Sequence, residues 1–268
     1  MIAETRPASA HASPEFGPGT ILDDLTAGRV RAAEPDPTAP SGWQVRPEVK
    51  AAILALFADP TPASWRVGPF VYRDRAAFVP IDPGLGRRVV PGGSAIRAGA
   101  HLEPGVVVMP PSYVNVGAWI GANSMIDSHV LVGSCAQIGA GVHLAAGVTI
   151  GGVLEPPGAR PVIVEDDAFV GAGSRLLDGV LVRRGAVIGA GVILTGTSRL
   201  YDLVEECEWR GTADEPLVVP PDAVVVPGSR TLGGPWAEAR GLSVSTALIV
   251  KRRDAGTAAR VALEDALR

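Results

Sequence analysis

The sequence predicts a mainly β protein whose centre is a parallel β-helix, a chain wound into stacked three-sided coils. Three observations predict it. An aliphatic residue recurs at every sixth position, from Ile96, Leu102, Val108 and Val114 without a miss to Ile150, and again from Val164 to Leu200. Three residues after most of these stands a glycine, as at Gly99, Gly117, Gly141 and Gly185, or in one case Asn123. Both residue types tolerate positive φ, so this is where the chain turns a corner. One place further on comes something small, such as Ala100, Ser112, Ala118 or Ser124. Neither a helical period nor simple alternation generates this pattern. Each hexad is a short strand plus a turn, and three hexads close one coil. Coils then stack at about 4.8 Å, placing Ile96 under Val114, Val132 and Ile150.

The elements follow in chain order. Residues 1–18 hold no basic segment followed by an apolar run, so they read as a disordered tail and not as a signal peptide. Residues 19–88 read as a small helical or mixed domain. Amphipathic stretches at 21–33 and 46–57 predict its two helices, the second with Pro47 in its first turn. The β-helix is expected over 89–230, interrupted by an insertion at 151–163 (GGVLEPPGARP at its core), long enough to stand off as a loop. Solenoids tend to carry their chemistry on such loops. A break at about 201–217 follows, beyond which Val218 and Val224 keep the phase. The C-terminal segment, 231–268, predicts a strand at 242–250 and a helix at 257–267 with Thr257 as its N-cap.

Composition bounds the function. The 33 Gly and 24 Pro in 268 residues would suggest disorder were the glycines not periodic, and 5% aromatics suits a narrow aliphatic core. A net charge of −4 gives no basic footprint for nucleic acid. No window is apolar enough for a membrane span. Cys135 and Cys207 stand in no metal-ligand spacing and read as free thiols in a reducing compartment, so a cytoplasmic location is expected.

One locality breaks the repeat. From Pro104 to Leu154 the sole charged side chain is Asp127, one place after an inward aliphatic, where neighbouring hexads carry Gly121, Gly133 and Gly139. Two residues on, His129 takes a corner place usually held by glycine, and Cys135 takes the same place in the next hexad. A carboxylate alone in a neutral stretch points to a ligand, although a surface turn would also accept it. His129 and His143 are out of step with the 18-residue coil, so no metal site is expected. Cys135 reads as a small buried filler.

These residues resemble a known family. Residues 109–119 (MPPSYVNVGAW), 132–143 (VGSCAQIGAGVH), 150–156 (IGGVLEP), 198–202 (SRLYD) and 247–254 (ALIVKRRD) are similar to the tetrahydrodipicolinate N-succinyltransferases, as is ILDDLTAGRVRAAE near the N-terminus. The resemblance implies a left-handed winding and a homotrimer with sites between neighbouring prisms. It implies succinyl-CoA as cosubstrate and transfer to the amine of ring-opened tetrahydrodipicolinate, in lysine and diaminopimelate biosynthesis. It places the family's substrate-binding arginine on Arg88 and its aspartate on Asp127, which would bind the amine and accept its proton. The chain departs from the family at residues 169–175 (FVGAGSR): Gly173 stands for an arginine, and Arg175 for an acidic residue that faces the substrate's amino end. Asp178 is the nearest acidic substitute. Arg175 also leaves open a related acyltransferase with another amine acceptor, or a non-catalytic trimer. Lys251 and Arg252, with Arg253, are expected to meet the CoA phosphates, a solvated charge cluster being the alternative.

Overall fold

The structure, a computed structural model, describes residues 20–154 and 160–257. A left-handed parallel β-helix forms its centre. Its first face runs from His101–Leu102 up to Val218–Val219 and its third from Ala95–Ile96 up to Ile193–Leu194, each six-stranded. The second is ten-stranded, starting at Arg88–Val89 and rising through Val107–Val108, Met125–Ile126, His143–Leu144, Phe169–Val170 and Val187–Ile188. Register is as the repeat requires: Val114 pairs with Val132 and Val132 with Ile150. The inward aliphatics from Ile96 to Leu200 all belong to one buried cluster. Each contributes about 1.5–3 kcal/mol by leaving water. The expected corner residues have positive φ, including Asn123 (58°), His129 (61°) and Cys135 (64°).

The serines in the small inward places do more than fill space. Ser112 Oγ donates to Asp127 O at 2.7 Å and accepts the Val130 N–H at 3.1 Å; Ser124 does the same for Gly139 O and the Val142 N–H. Each ties a corner to the coil above, satisfying backbone groups that the turn takes out of the ladder.

Several expectations are corrected. The first helix, Thr20–Thr26, stops well short of residue 33, because Gly28 takes a left-handed turn (φ 74°) and Ala33–Pro35 then pairs antiparallel with Trp43–Val45. The second helix, Pro47–Ala58, lies within a residue of its expected place. The N-terminal unit also contains a hairpin, Pro62–Val67 with Phe70–Arg75. Arg88, expected to close that unit, stands in the first strand of the second face.

The insertion does not begin by standing off. Val153 is buried with Ile53, Val116 and Cys135, and its N–H reaches Ser134 Oγ; residues 155–159 lie outside the described set, and the strand resumes at Ile163–Val164. Beyond residues 201–217 the phase slips by one. Val182 pairs with Val219 and Ile188 with Val225, so Val219 and Val225, not Val218 and Val224, turn inward. The excursion is not a whole number of hexads, and a one-residue slip reverses which side chain faces the core.

The expected strand at 242–250 is part of Ser243–Arg252, paired antiparallel with Ala223–Thr231. Of the expected helix at 257–267 only Thr257 is described, and the capping role belongs to Asp254. Its Oδ1 accepts from both Thr257 N (2.6 Å) and Thr257 Oγ1 (2.8 Å). Among the described residues no helix is long and apolar enough to cross a membrane.

Candidate active site

The corner between the second and third faces carries Asp127. The chain leaves the strand Met125–Ile126, turns through Asp127, Ser128 and His129, and enters Leu131–Val132. Three bonds hold Asp127 in the turn. The Asp127 N–H donates to Leu144 O, the Asp127 carbonyl accepts from Ser112 Oγ, and Asp127 Oδ1 accepts the Ser128 N–H at 2.7 Å. Oδ2 has no donor among the described residues. A cavity of about 330 Å³ opens beside this corner, lined in part by Ser112, Tyr113, His129 and Leu131. A partly buried carboxylate with one oxygen already occupied and the other available can hold an ammonium group and accept its proton. Ser112 was legible only as a small residue; its role in fixing Asp127 depends on a contact one coil up.

Arg88 lies exposed on the second face, two strands below Met125, on the side that leads into the Asp127 corner. Arg175 lies exposed on the third face. Thr149 separates it from Leu131, so it stands two rungs, about 10 Å, above the strand that follows Asp127. Asp178 has φ 53° and sits at the next corner, between the third and first faces. Within one chain the structure therefore groups Arg88, Asp127 and Arg175 along two adjoining faces, and sets Asp178 at the far edge of the third.

The C-terminal cations are engaged within the chain. Arg252 Nη2 bonds Asp202 Oδ2 at 2.7 Å, and the Asp202 side chain is wholly buried. Burial pushes the Asp202 carboxyl up, but the Arg252 guanidinium with the Glu205 and Val204 N–H groups outweighs it and holds the pKa below the usual range. Lys251 Nζ pairs with Asp254 at 2.7 Å in an exposed bridge, and Arg253 Nη1 donates to Asp167 O and Gly185 O. Arg252→Met should leave the buried Asp202 unpaired and cost about 2–3 kcal/mol, a fall of roughly 5–10 °C in Tm. That contribution is present above the ordinary carboxylate range and fades as pH falls through the depressed Asp202 value. Lys251→Met should move stability by no more than about 0.5 kcal/mol. Calorimetry that finds both variants equally silent would refute the structural role of Arg252.

His129 is exposed at its corner, whereas His143 projects from the second face, its ring edge-on to Phe169 at 5.1 Å. Cys135 is buried, and burial pushes its thiol up to about 12, which makes it chemically inert at neutral pH. Cys207 is exposed, and both thiols are free.

The chain as a whole is similar to known proteins. A profile described as the hexapeptide repeat of succinyl-transferase matches residues 161–196, and one described as bacterial transferase hexapeptide (six repeats) matches 117–152. Three relatives are named 2,3,4,5-tetrahydropyridine-2,6-dicarboxylate N-succinyltransferase. That of Rhodospirillum rubrum is 41% identical over 92% of this chain and 87% of its own. That of Granulibacter bethesdensis is 41% identical over 91% and 86%, and that of Bordetella pertussis 38% over 99% and 94%. The chain belongs to this N-succinyltransferase family. It is an acyltransferase, and the profile matching residues 161–196 is itself described by its succinyl-transferase hexapeptide repeat.

Proposed function

We propose that the protein transfers the succinyl group of succinyl-CoA to the amine of ring-opened tetrahydrodipicolinate, a step of lysine and diaminopimelate biosynthesis. The observation that carries this reading is Asp127, the one carboxylate of a neutral stretch, held in a fixed corner whose following residues His129 and Leu131 line a cleft, in a chain 41% identical to a named N-succinyltransferase. Asp127 accepts a proton from the substrate ammonium, and the neutral amine attacks the thioester carbonyl. A C–N bond forms, the C–S bond breaks, and the departing thiolate takes the proton that the acylated nitrogen sheds and leaves as CoA thiol. Arg88 pairs with a substrate carboxylate. Backbone N–H groups of the glycine-rich corners stabilise the tetrahedral oxyanion. Lys251, whose bridge to Asp254 is exposed and exchangeable, is the cation assigned here to the CoA phosphates.

The site is completed by a homotrimer. The third face projects Tyr113, Leu131, Thr149, Arg175 and Ile193 outward, with Leu131 38% and Ile193 54% exposed. Three such faces around an axis bury apolar surface that a monomer leaves in water. Light scattering at micromolar concentration should give three times the chain mass of 27.5 kDa; a monomeric mass would refute both the trimer and an intersubunit site. The activity is tested by thiol release from a panel of acyl-CoAs and amines. Succinyl-CoA with tetrahydrodipicolinate should be the preferred pair.

A second reading rests on Arg175. A guanidinium exposed on this face suits an acceptor with an additional carboxylate, handled by the same chemistry.

A further inference from the structure

The ribbon formed by Ala33–Pro35 and Trp43–Val45 lies on the first face of the prism, with Ala33 and Trp43 packed against Ile163 and Leu181. Between this ribbon and the corner joining the first and second faces lies a cavity of about 450 Å³, around a corner from Asp127. Its lining includes Arg31, Trp43, Trp119, Glu103 and Asp166. The Arg31 guanidinium stacks over Trp119 at 4.1 Å from the ring centroid and reaches Trp43 at 5.7 Å. Its Nε donates to Gln137 Oε1 at 3.0 Å. Gln137 is wholly buried, and its Nε2 donates to Cys135 O, which fixes the amide so that its oxygen is presented to Arg31.

This anchoring leaves the two η-nitrogens of Arg31 without a hydrogen-bond partner among the described residues. Burial lowers the guanidinium pKa to about 10, against the fields of Glu34, Glu103 and Asp166, with none of which it forms an ion pair. Glu34 is held by Arg46 instead. Asp166 spends one oxygen on the Ala140 N–H at 2.8 Å, and Glu103 one on His101 Nε2 at 3.0 Å. Among the described residues each has no partner on its second oxygen. The remaining charged residues of the lining are already used: Glu165 by Trp43 and Arg183, Arg184 by Asp167.

We propose that this cavity binds a free α-amino acid, its carboxylate held by the η-nitrogens of Arg31, its ammonium by Asp166 and Glu103, and its side chain against Trp43 and Trp119. A simple anion would meet the two carboxylates, and a simple cation would meet the guanidinium. A zwitterion satisfies both signs at once, and the size is that of a small-molecule site. The guanidinium fork matches a carboxylate bidentately. The ligand bridges the N-terminal ribbon and the prism.

The test is titration calorimetry of the full-length protein with L-norleucine, with hexanoate (the same molecule without its amine) and with n-pentylamine (without its carboxylate). Norleucine should bind saturably, and each analogue at least tenfold more weakly. Asp166→Asn keeps an oxygen for the Ala140 N–H and removes the charge; it should weaken norleucine at least fivefold and leave hexanoate no weaker. Should Asp166→Asn fail to fold, as judged by its thermal melt, Glu103→Gln carries the same comparison. Absence of saturable norleucine binding would overturn the proposal. So would norleucine binding that the variants leave unchanged, or hexanoate binding as tightly as norleucine. Neither readout depends on turnover, so acyl transfer stands or falls separately.

Discussion

Asp127→Asn is expected to lower kcat by at least about two orders of magnitude while leaving the fold intact. Asparagine has nearly the same volume, and its side-chain oxygen can still accept the Ser128 N–H that Asp127 Oδ1 takes at 2.7 Å. The corner is fixed independently of the side chain, through Ser112 Oγ and the Leu144 carbonyl. What is lost is the charge that holds an ammonium and receives its proton, and general-base contributions of this kind are about 10² to 10⁴ in rate. The check is steady-state kinetics beside a thermal melt. A variant that melts normally and turns over at the wild-type rate would make Asp127 a surface turn residue, and would remove the catalytic reading of this corner.

Arg175→Glu carries the second large effect. Arg175 stands about two rungs above the strand that follows Asp127, exposed on the face proposed to meet a neighbouring prism. If tetrahydrodipicolinate is the acceptor, a guanidinium near its ammonium opposes binding by about 1 kcal/mol at an effective dielectric of about 20, and salt screens part of that. Replacing it with a carboxylate reverses the sign. kcat/KM for tetrahydrodipicolinate should then rise by roughly fivefold or more, and more at low ionic strength. A fall in kcat/KM for that acceptor would show that Arg175 binds a substrate anion, and would favour the reading with a carboxylate-bearing alternative. Asp178 does not remove the conflict within a chain, because it sits at the opposite edge of the same face.

Much of the fold was legible because its core is a one-dimensional repeat. From Ile96 to Leu200 each inward residue needs only its own hexad to be placed, and each of these positions is buried. The corner glycines, together with His129 and Cys135, were readable for the same reason: a positive φ is a local requirement. The excursion at 201–217 was not. Its hairpin, Arg199–Asp202 with Cys207–Arg210, consumes a number of residues that no hexad count supplies, and the phase that follows is set by pairing with Val182 and Ile188. The sequence extends the first helix too far because a helical pattern continues through Arg29 and Val30. What ends it is Gly28, where an added Cβ would lie 2.6 Å from His101 Cε1, a tertiary constraint.

The candidate site divides in the same way. Asp127 announced itself as a lone charge in a neutral stretch, and Arg88 came through resemblance. The Lys251–Arg252 pair looked like a free anion receptor because Asp202, which neutralises Arg252 from a buried position, is 50 residues away in sequence. The Arg31 cavity left no linear signal at all. Arg31, Trp43, Trp119 and Asp166 come from separate stretches and meet only where the ribbon lies on the prism.

Acyl transfer to an amine is read from the mass of the product. Purified protein is incubated with stoichiometric succinyl-CoA and freshly ring-opened tetrahydrodipicolinate, and the acceptor is analysed by mass spectrometry. The expected product is an acceptor heavier by one succinyl group, amide-linked at its amine, with an equal amount of free CoA thiol. Free succinate appearing with the acceptor unchanged, or no consumption of the thioester at all, would contradict acyl transfer to the amine.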